Sequence, residues 1–240
     1  MNQSEENSKN KNLESNFAER SNYKLTWQKL AQSSDDAKMA VAGHTSESDF
    51  DRSALLTISM LEKFVGINPT DIILEIGCGV GRVGKLLSPR CTKWIGTDIS
   101  SNMLKYTEER LKELNNIELV ELLNVGLKEI PDNSIDLVYC TVVFMHLYEW
   151  DRYRYVQESF RVLKPGGRCF FDNIDITSDY GWNFFMDSFA YPIDQRPARI
   201  GMISTGDELK VYGEKAGFEN VKVHRWHNAW VGLTGTKANV

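Results

Sequence analysis

Residues 74–84 read LEIGCGVGRVG, with glycines at 77, 79, 81 and 84 directly after a short apolar run. Glycines so placed let the backbone come close to a ligand, and a helix starting behind them favours negative charge. The next apolar run, WIGTD, ends in Asp98, a carboxylate placed to accept hydrogen bonds from a ribose diol. Two frames fit the glycines. Gly77-x-Gly79-x-Gly81 suits a site for S-adenosylmethionine (SAM), and Gly79-x-Gly81-x-x-Gly84 suits the pyrophosphate of a dinucleotide. Asp98 serves either ligand and does not separate them.

Two features separate the frames. A dinucleotide fingerprint puts its first glycine directly behind the strand. Here the strand DIILEI runs into Gly77, and Gly79 comes two residues late. Glu75 also lies beside the loop, where a carboxylate opposes a pyrophosphate but tolerates the cationic methionine part of SAM. SAM has no phosphate and carries a sulfonium and an ammonium. The SAM frame is preferred, and Gly84 then falls within the following helix.

Alternating elements must position these residues. An amphipathic helix is expected over 51–64, with Leu55, Leu56, Ile58, Leu61 and Phe64 on one face. Strands are expected over 71–76, 93–97, 117–122, 135–141 and 168–173, with helices to about Leu87 and over 101–114 and 151–163. Lys164-Pro165-Gly166-Gly167 reads as a turn. This alternation implies right-handed βαβ units and a parallel sheet. Two final strands, 221–226 and 230–236, are joined by His227-Asn228-Ala229 and so pair antiparallel. The fold class is α/β: a seven-stranded, mostly parallel sheet with helices on both faces, an antiparallel terminal pair and a helical N-terminal cap. Residues 1–13 read as a disordered leader, 14–50 as the cap or lid, and 51–240 as the main domain with an insertion over 174–205.

Composition narrows the function classes. Hydrophobic residues make up 42% and charged residues 25% of 240 positions, enough apolar material for a core of useful size. A net charge of -5 supplies no general field for nucleic acid or an anionic membrane, so neither is expected as a partner. Cys78, Cys91, Cys140 and Cys169 lack metal-ligand spacing, so no metal site is expected. No apolar run has transmembrane length and the N-terminus lacks a signal-peptide core, which points to a cytoplasmic protein. Oligomeric state leaves no trace in the sequence.

Four segments in order resemble the class I SAM-dependent methyltransferases, over about 51–237. ILEIGCGVGR resembles their first motif and WIGTDIS their acidic strand. IPDNSIDLVYCTVVFMHL resembles their fourth-strand motif, and ESFRVLKPGGRCFF the helix-turn-strand beyond it. The resemblance implies SAM as cofactor and S-adenosylhomocysteine (SAH) as product. Gly77 and Gly79 would pass under the methionine part, Asp98 would take the ribose, and Ile99 would lie on adenine. Arg82 is either a partner for the SAM carboxylate or an exposed first-turn residue. The family's acid after the third strand is missing, which leaves adenine to the backbone at Gly126 and Leu127. Thr141 would face the cofactor or serve only as a strand residue.

His146, just beyond the fourth strand, is the candidate base, with a backbone-bonded loop histidine as the alternative. A shorter resemblance connects Met145-His146-Leu147, Asp172-Asn173 and the Gly43-His44 loop to the methyltransferases of protein N-terminal α-amines. It implies that His146, Asp172 and Asn173 form a polar wall around the acceptor. Trp182 and Tyr191 of the insertion are expected as acceptor walls, with Tyr23 and Trp27 closing the site as a lid. Phe185 and Phe189 read as core, and His224 and His227 as structural and distant. The leading expectation is a methyltransferase acting on N or O of a small molecule, of the kind found in specialised metabolism. The alternatives are α-amine methylation of proteins or peptides, and a non-catalytic SAM-binding partner subunit.

Overall fold

The computed structural model describes residues 21–239. The expected leader over 1–13, and the first part of the expected cap, 14–20, lie outside the described residues. The cap contains α1 (Tyr23–Leu30), capped by the Asn22 side chain, and α2 (Ser34–Ala42), capped by Ser33. The second helix runs to Ala42 because Gly43, at φ 74°, accepts the left-handed turn that ends it. The long helix α3 (Glu47–Phe64) begins four residues before the expected start. Glu47 and Asp49 favour its N-terminal dipole, and Glu47 is also held by Arg110 at 2.7 Å and Lys38 at 2.9 Å. Its buried face is Phe50, Ala54, Ile58 and Leu61, whereas Leu55 and Leu56 are exposed.

The sheet has the order β3-β2-β1-β4-β5-β7-β6. Its strands are β1 (Ile72–Ile76), β2 (Lys93–Asp98), β3 (Ile117–Glu121), β4 (Ile135–Cys140), β5 (Leu163–Ile174), β6 (Glu219–Trp226) and β7 (Trp230–Thr236). The first five are parallel, and β7 pairs antiparallel with both β5 and β6. β5 continues back through the expected turn at 164–167. The other helices are α4 (Gly84–Leu87), α5 (Ser101–Leu111), α6 (Glu149–Val162), α7 (Asp179–Phe189) and α8 (Gly206–Ala216).

Alternate strand residues feed two cores, as the two-residue period requires. Ile73, Trp94, Leu137, Tyr139 and Phe170 meet Ile58 and Leu61 of α3 on one face. Leu74, Val138, Cys169 and Phe171 meet Val156 of α6 and Leu209 of α8 on the other. Trp94 explains Gly84. A methyl group on Gly84 would sit 2.4 Å from the indole, and one on Gly96 would sit 2.3 Å from it. The glycine that completed the dinucleotide frame is therefore required for packing. Gly84→Ala is expected to cost about 1–3 kcal/mol, read as a lower thermal midpoint. An unchanged midpoint would show that the indole moves aside freely.

Candidate active site

A cavity of about 640 Å³ opens at the carboxyl edge of the sheet, in the size range of small-molecule sites. Gly77, Gly79, Arg82, Asp98, Ile99, Thr141, His146, Asp172, Tyr23 and Trp27 all line it. At one end the glycine loop doubles back through left-handed φ angles of 71° at Gly77, 55° at Gly79 and 71° at Gly81. A side chain on Gly77 would strike Val143 at 2.5 Å, and one on Gly79 would strike Val41 of the cap at 2.8 Å. Asp98 pins the loop by accepting from Gly79 N and Ser100 N, both at 2.9 Å. Burial raises its carboxyl to about 6 against the pull of those donors.

The floor carries a second charged layer. Glu75 of β1 stands opposite Tyr139 of β4 and accepts its hydroxyl proton at 2.5 Å, while Trp94 Nε1 donates to the same hydroxyl at 3.3 Å. Burial pushes Glu75 up to about 7, with Tyr139 and the nearby Arg82 holding it back. Asp172 accepts from Val142 N at 2.7 Å, and burial pushes it up to about 7, against Val142 N and Arg82. Val142 is a β-branched residue at φ 62°, a strained conformation that this hydrogen bond holds. Arg82 is largely buried. It donates to Thr57 at 3.4 Å and is not the exposed first-turn residue weighed above.

The cap forms the roof. Tyr23 donates to Asp151 at 2.6 Å and accepts from Tyr148 N at 3.1 Å, and Lys24 meets Glu121 at 2.5 Å. Trp27 stands edge-on to His146, with centroids 4.9 Å apart. His44 also faces the cavity, and its Nδ1 is buried with no hydrogen-bond partner among the described residues.

Several expected site residues lie elsewhere. Asn173 is buried, but its amide donates to Met202 O at 3.1 Å and Ser204 Oγ at 2.7 Å, so it ties down the insertion instead of facing the cavity. The insertion's return arm is held further by Met202 N on Met145 O at 2.7 Å. This pins it outside the His146 turn, and no residue of 174–205 lines the cavity. Trp182 is 52% exposed and Tyr191 47% exposed, and Trp182, Phe185 and Phe189 stack along α7 outside the cavity. Phe185 and Phe189 are exposed, not core. Leu127 is fully buried, its carbonyl taken by Arg161 at 2.7 Å, and Gly126 borders a separate shallow depression. Leu122 and Met103 line the cavity instead.

The wall expected from the insertion is supplied by the β6–β7 turn. Trp226, His227 and Trp230 line the cavity, with Ser53, Leu56, Thr57 and Met60 of α3. His227 is thus at the site, not distant from it. The reason is topological: β7 runs antiparallel, so β6 runs with the parallel strands and its turn emerges at the ligand edge. The two tryptophans flanking a short turn were the available signal, but only the strand order gives them an address.

Residues 74–171 match the family model described as a methyltransferase domain. Over a larger share of the chain, the fold superposes on a Haemonchus contortus phosphoethanolamine N-methyltransferase solved with SAH and phosphomonomethylethanolamine. The TM-score is 0.67 at 16% identity, covering 88% of this chain and 60% of that one. The chain has the fold of the class I SAM-dependent methyltransferases. A SAM-dependent methyltransferase from Aquifex aeolicus gives a TM-score of 0.59 at 19% identity, over 80% of this chain and 98% of that one. The human thiol S-methyltransferase TMT1A is 28% identical over 137 residues, 56% of this chain and 55% of that protein. The phosphoethanolamine N-methyltransferase of Plasmodium falciparum is 27% identical over 133 residues, 55% and 48% of the two chains. The chain thus matches about half the length of these relatives. Its donor set suits SAM, with a buried carboxylate beside a glycine loop for the ribose and acids, not phosphate-binding donors, near the cationic end. Among the described residues no cluster has the make-up of a metal site, and no helix is long and apolar enough to cross a membrane.

Proposed function

We propose that this protein transfers a methyl group from SAM to a nitrogen or oxygen of a small molecule. The observation that carries the proposal is one roofed cavity joining the glycine loop and Asp98 to a wall of histidines and aromatics. SAM supplies a methyl carbon whose bonding pair stays on sulfur as the acceptor's lone pair takes the carbon. The protein's task is then mainly alignment and exclusion of water. Asp98 would hold the ribose, Ile99 the adenine face, and Arg82 the carboxylate of the methionine part. Thr141 lies at the mouth of β4 between the two ends. His146, steadied by Trp27, would take the proton of a neutral hydroxyl or an ammonium. The cap residues Tyr23, Trp27 and Val41 line the cavity, which favours a compact acceptor over a protein terminus.

Incubation with methyl-labelled SAM and a size-fractionated cell extract tests the proposal. Label in the low-mass fraction is expected, and label confined to protein would replace this reading with α-amine methylation. His146→Ala should lower kcat about 10²–10⁴-fold at neutral pH with SAM affinity kept. Full turnover in that variant would remove the base role.

The buried acids add a pH prediction. Glu75, Asp98 and Asp172 titrate higher in the fold than in the open chain. Between those two ranges these groups hold more protons in the native state, so their contribution to the stability of the ligand-free protein falls as pH rises from about 4 to 7. A cationic cofactor favours the ionised forms of Glu75 and Asp98. The thermal shift produced by SAM should therefore be larger at about pH 8 than at about pH 5.5. Equal or reversed shifts would show that these acids do not face the cofactor's positive charge.

A further inference from the structure

We propose that the acceptor is a basic amine carried on a flat, apolar body, held between the Asp172 carboxylate and the indoles of Trp226 and Trp230. The inference rests on the methyl-transfer reading and names the acceptor class for that site. It arises from the register of three strands. Asp172 stands directly across from Gly232, and Trp230 pairs with Ile174, so Asp172 and Trp230 share one sheet face as diagonal neighbours. Trp226 pairs with Trp230 on the next strand. Its ring lies over Gly232, where an added methyl group would come within 2.9 Å of two indole atoms. The missing side chain at Gly232 therefore leaves an indole beside the carboxylate.

The carboxylate itself is incompletely matched. Asp172 is only 3% exposed, yet its one hydrogen bond among the described residues is from Val142 N to Oδ1. Among the described residues no salt bridge reaches it, and Arg82, whose charge acts on it from a distance, is drawn first to Glu75. A buried carboxylate with no directly bonded cation is costly, and an ammonium donating to Oδ2 reduces that cost. The indole faces add a cation–π attraction that neither an alcohol nor a thiol would receive. Leu56 and Met60 of α3 complete an apolar slot for the body of the ligand.

The test is calorimetry on the SAH-loaded protein with three probes: 2-phenylethylamine, its isostere 2-phenylethanol, and ethanolamine, which lacks the ring. The aryl amine should bind at least about tenfold tighter than either of the others. Asp172→Asn keeps an oxygen for Val142 N while removing the charge. It should bring amine and alcohol within about twofold of each other with SAH affinity unchanged. Asn228→Gly, at a turn position outside the cavity with φ 46°, should leave all three affinities as they are. Equal binding of amine and alcohol, an amine preference that survives Asp172→Asn, or no binding of any probe would overturn the inference. Label transferred to a hydroxyl acceptor with no amine preference would leave methyl transfer standing and remove only this inference. Amine binding with no transfer of label would remove the proposed function and leave the amine niche.

Discussion

Replacing Asp98 by alanine should reduce SAM and SAH affinity by about a hundredfold or more. In the proposed assignment the carboxylate accepts both ribose hydroxyls, and each hydrogen bond to a charged acceptor contributes about 1.5–3 kcal/mol. Two such bonds correspond to roughly 3–6 kcal/mol, or two to four decades in affinity. The loss extends beyond direct contact. Gly79 N and Ser100 N both donate to Asp98, so its removal frees the glycine loop and leaves two backbone donors without their partner. Asp98→Asn keeps the shape and one acceptor oxygen and should fall between the wild type and the alanine variant. Calorimetry with SAH decides the matter. Affinity within about threefold of wild type in the alanine variant would remove the ribose assignment.

Arg152→Met should lower global stability by about 3–5 kcal/mol, the scale seen when a buried ion pair loses one partner. For a chain of this size that is a fall of about 6–20 °C in thermal midpoint. Arg152 is 1% exposed and spends its guanidinium on Phe144 O at 2.9 Å, Ser204 Oγ at 2.8 Å, Met202 O at 2.9 Å and Glu208 at 3.0 Å. It thereby joins α6 to α8, to the insertion's return arm and to the turn that carries His146. Arg152→Lys should rescue little, because an ammonium lacks the planar fork that reaches several carbonyls at once. A midpoint within about 2 °C of wild type would show that these contacts are replaceable.

The two variants separate what was legible along the chain from what was not. Asp98 could be read because its meaning is local: an apolar run ending in an acid, one strand after a glycine loop. Arg152 could not. It lies on a helix with Arg154 and Arg161 nearby, and nothing in the residue types shows which of them points inward. The same division separates Asp172 from Asn173. They are adjacent, and strand alternation sends their side chains to opposite faces, one to the cavity and one to the insertion.

By itself the sequence determined the order of strands and helices, the glycine loop in its SAM frame, and the acid that holds it. These follow from short-range rules, the two-residue and 3.6-residue periods and the conformational freedom of glycine. The tertiary structure alone decided which distant segments meet at the carboxyl edge. It packed Trp94 against Gly84, joined Tyr139 to Glu75, and pinned the 174–205 insertion away from the cavity. The direction of β7 likewise brought Trp226, His227 and Trp230 to a site more than fifty positions away from Asp172 in the chain. Such contacts depend on strand order and register, which are properties of the assembled sheet and of no single stretch within it.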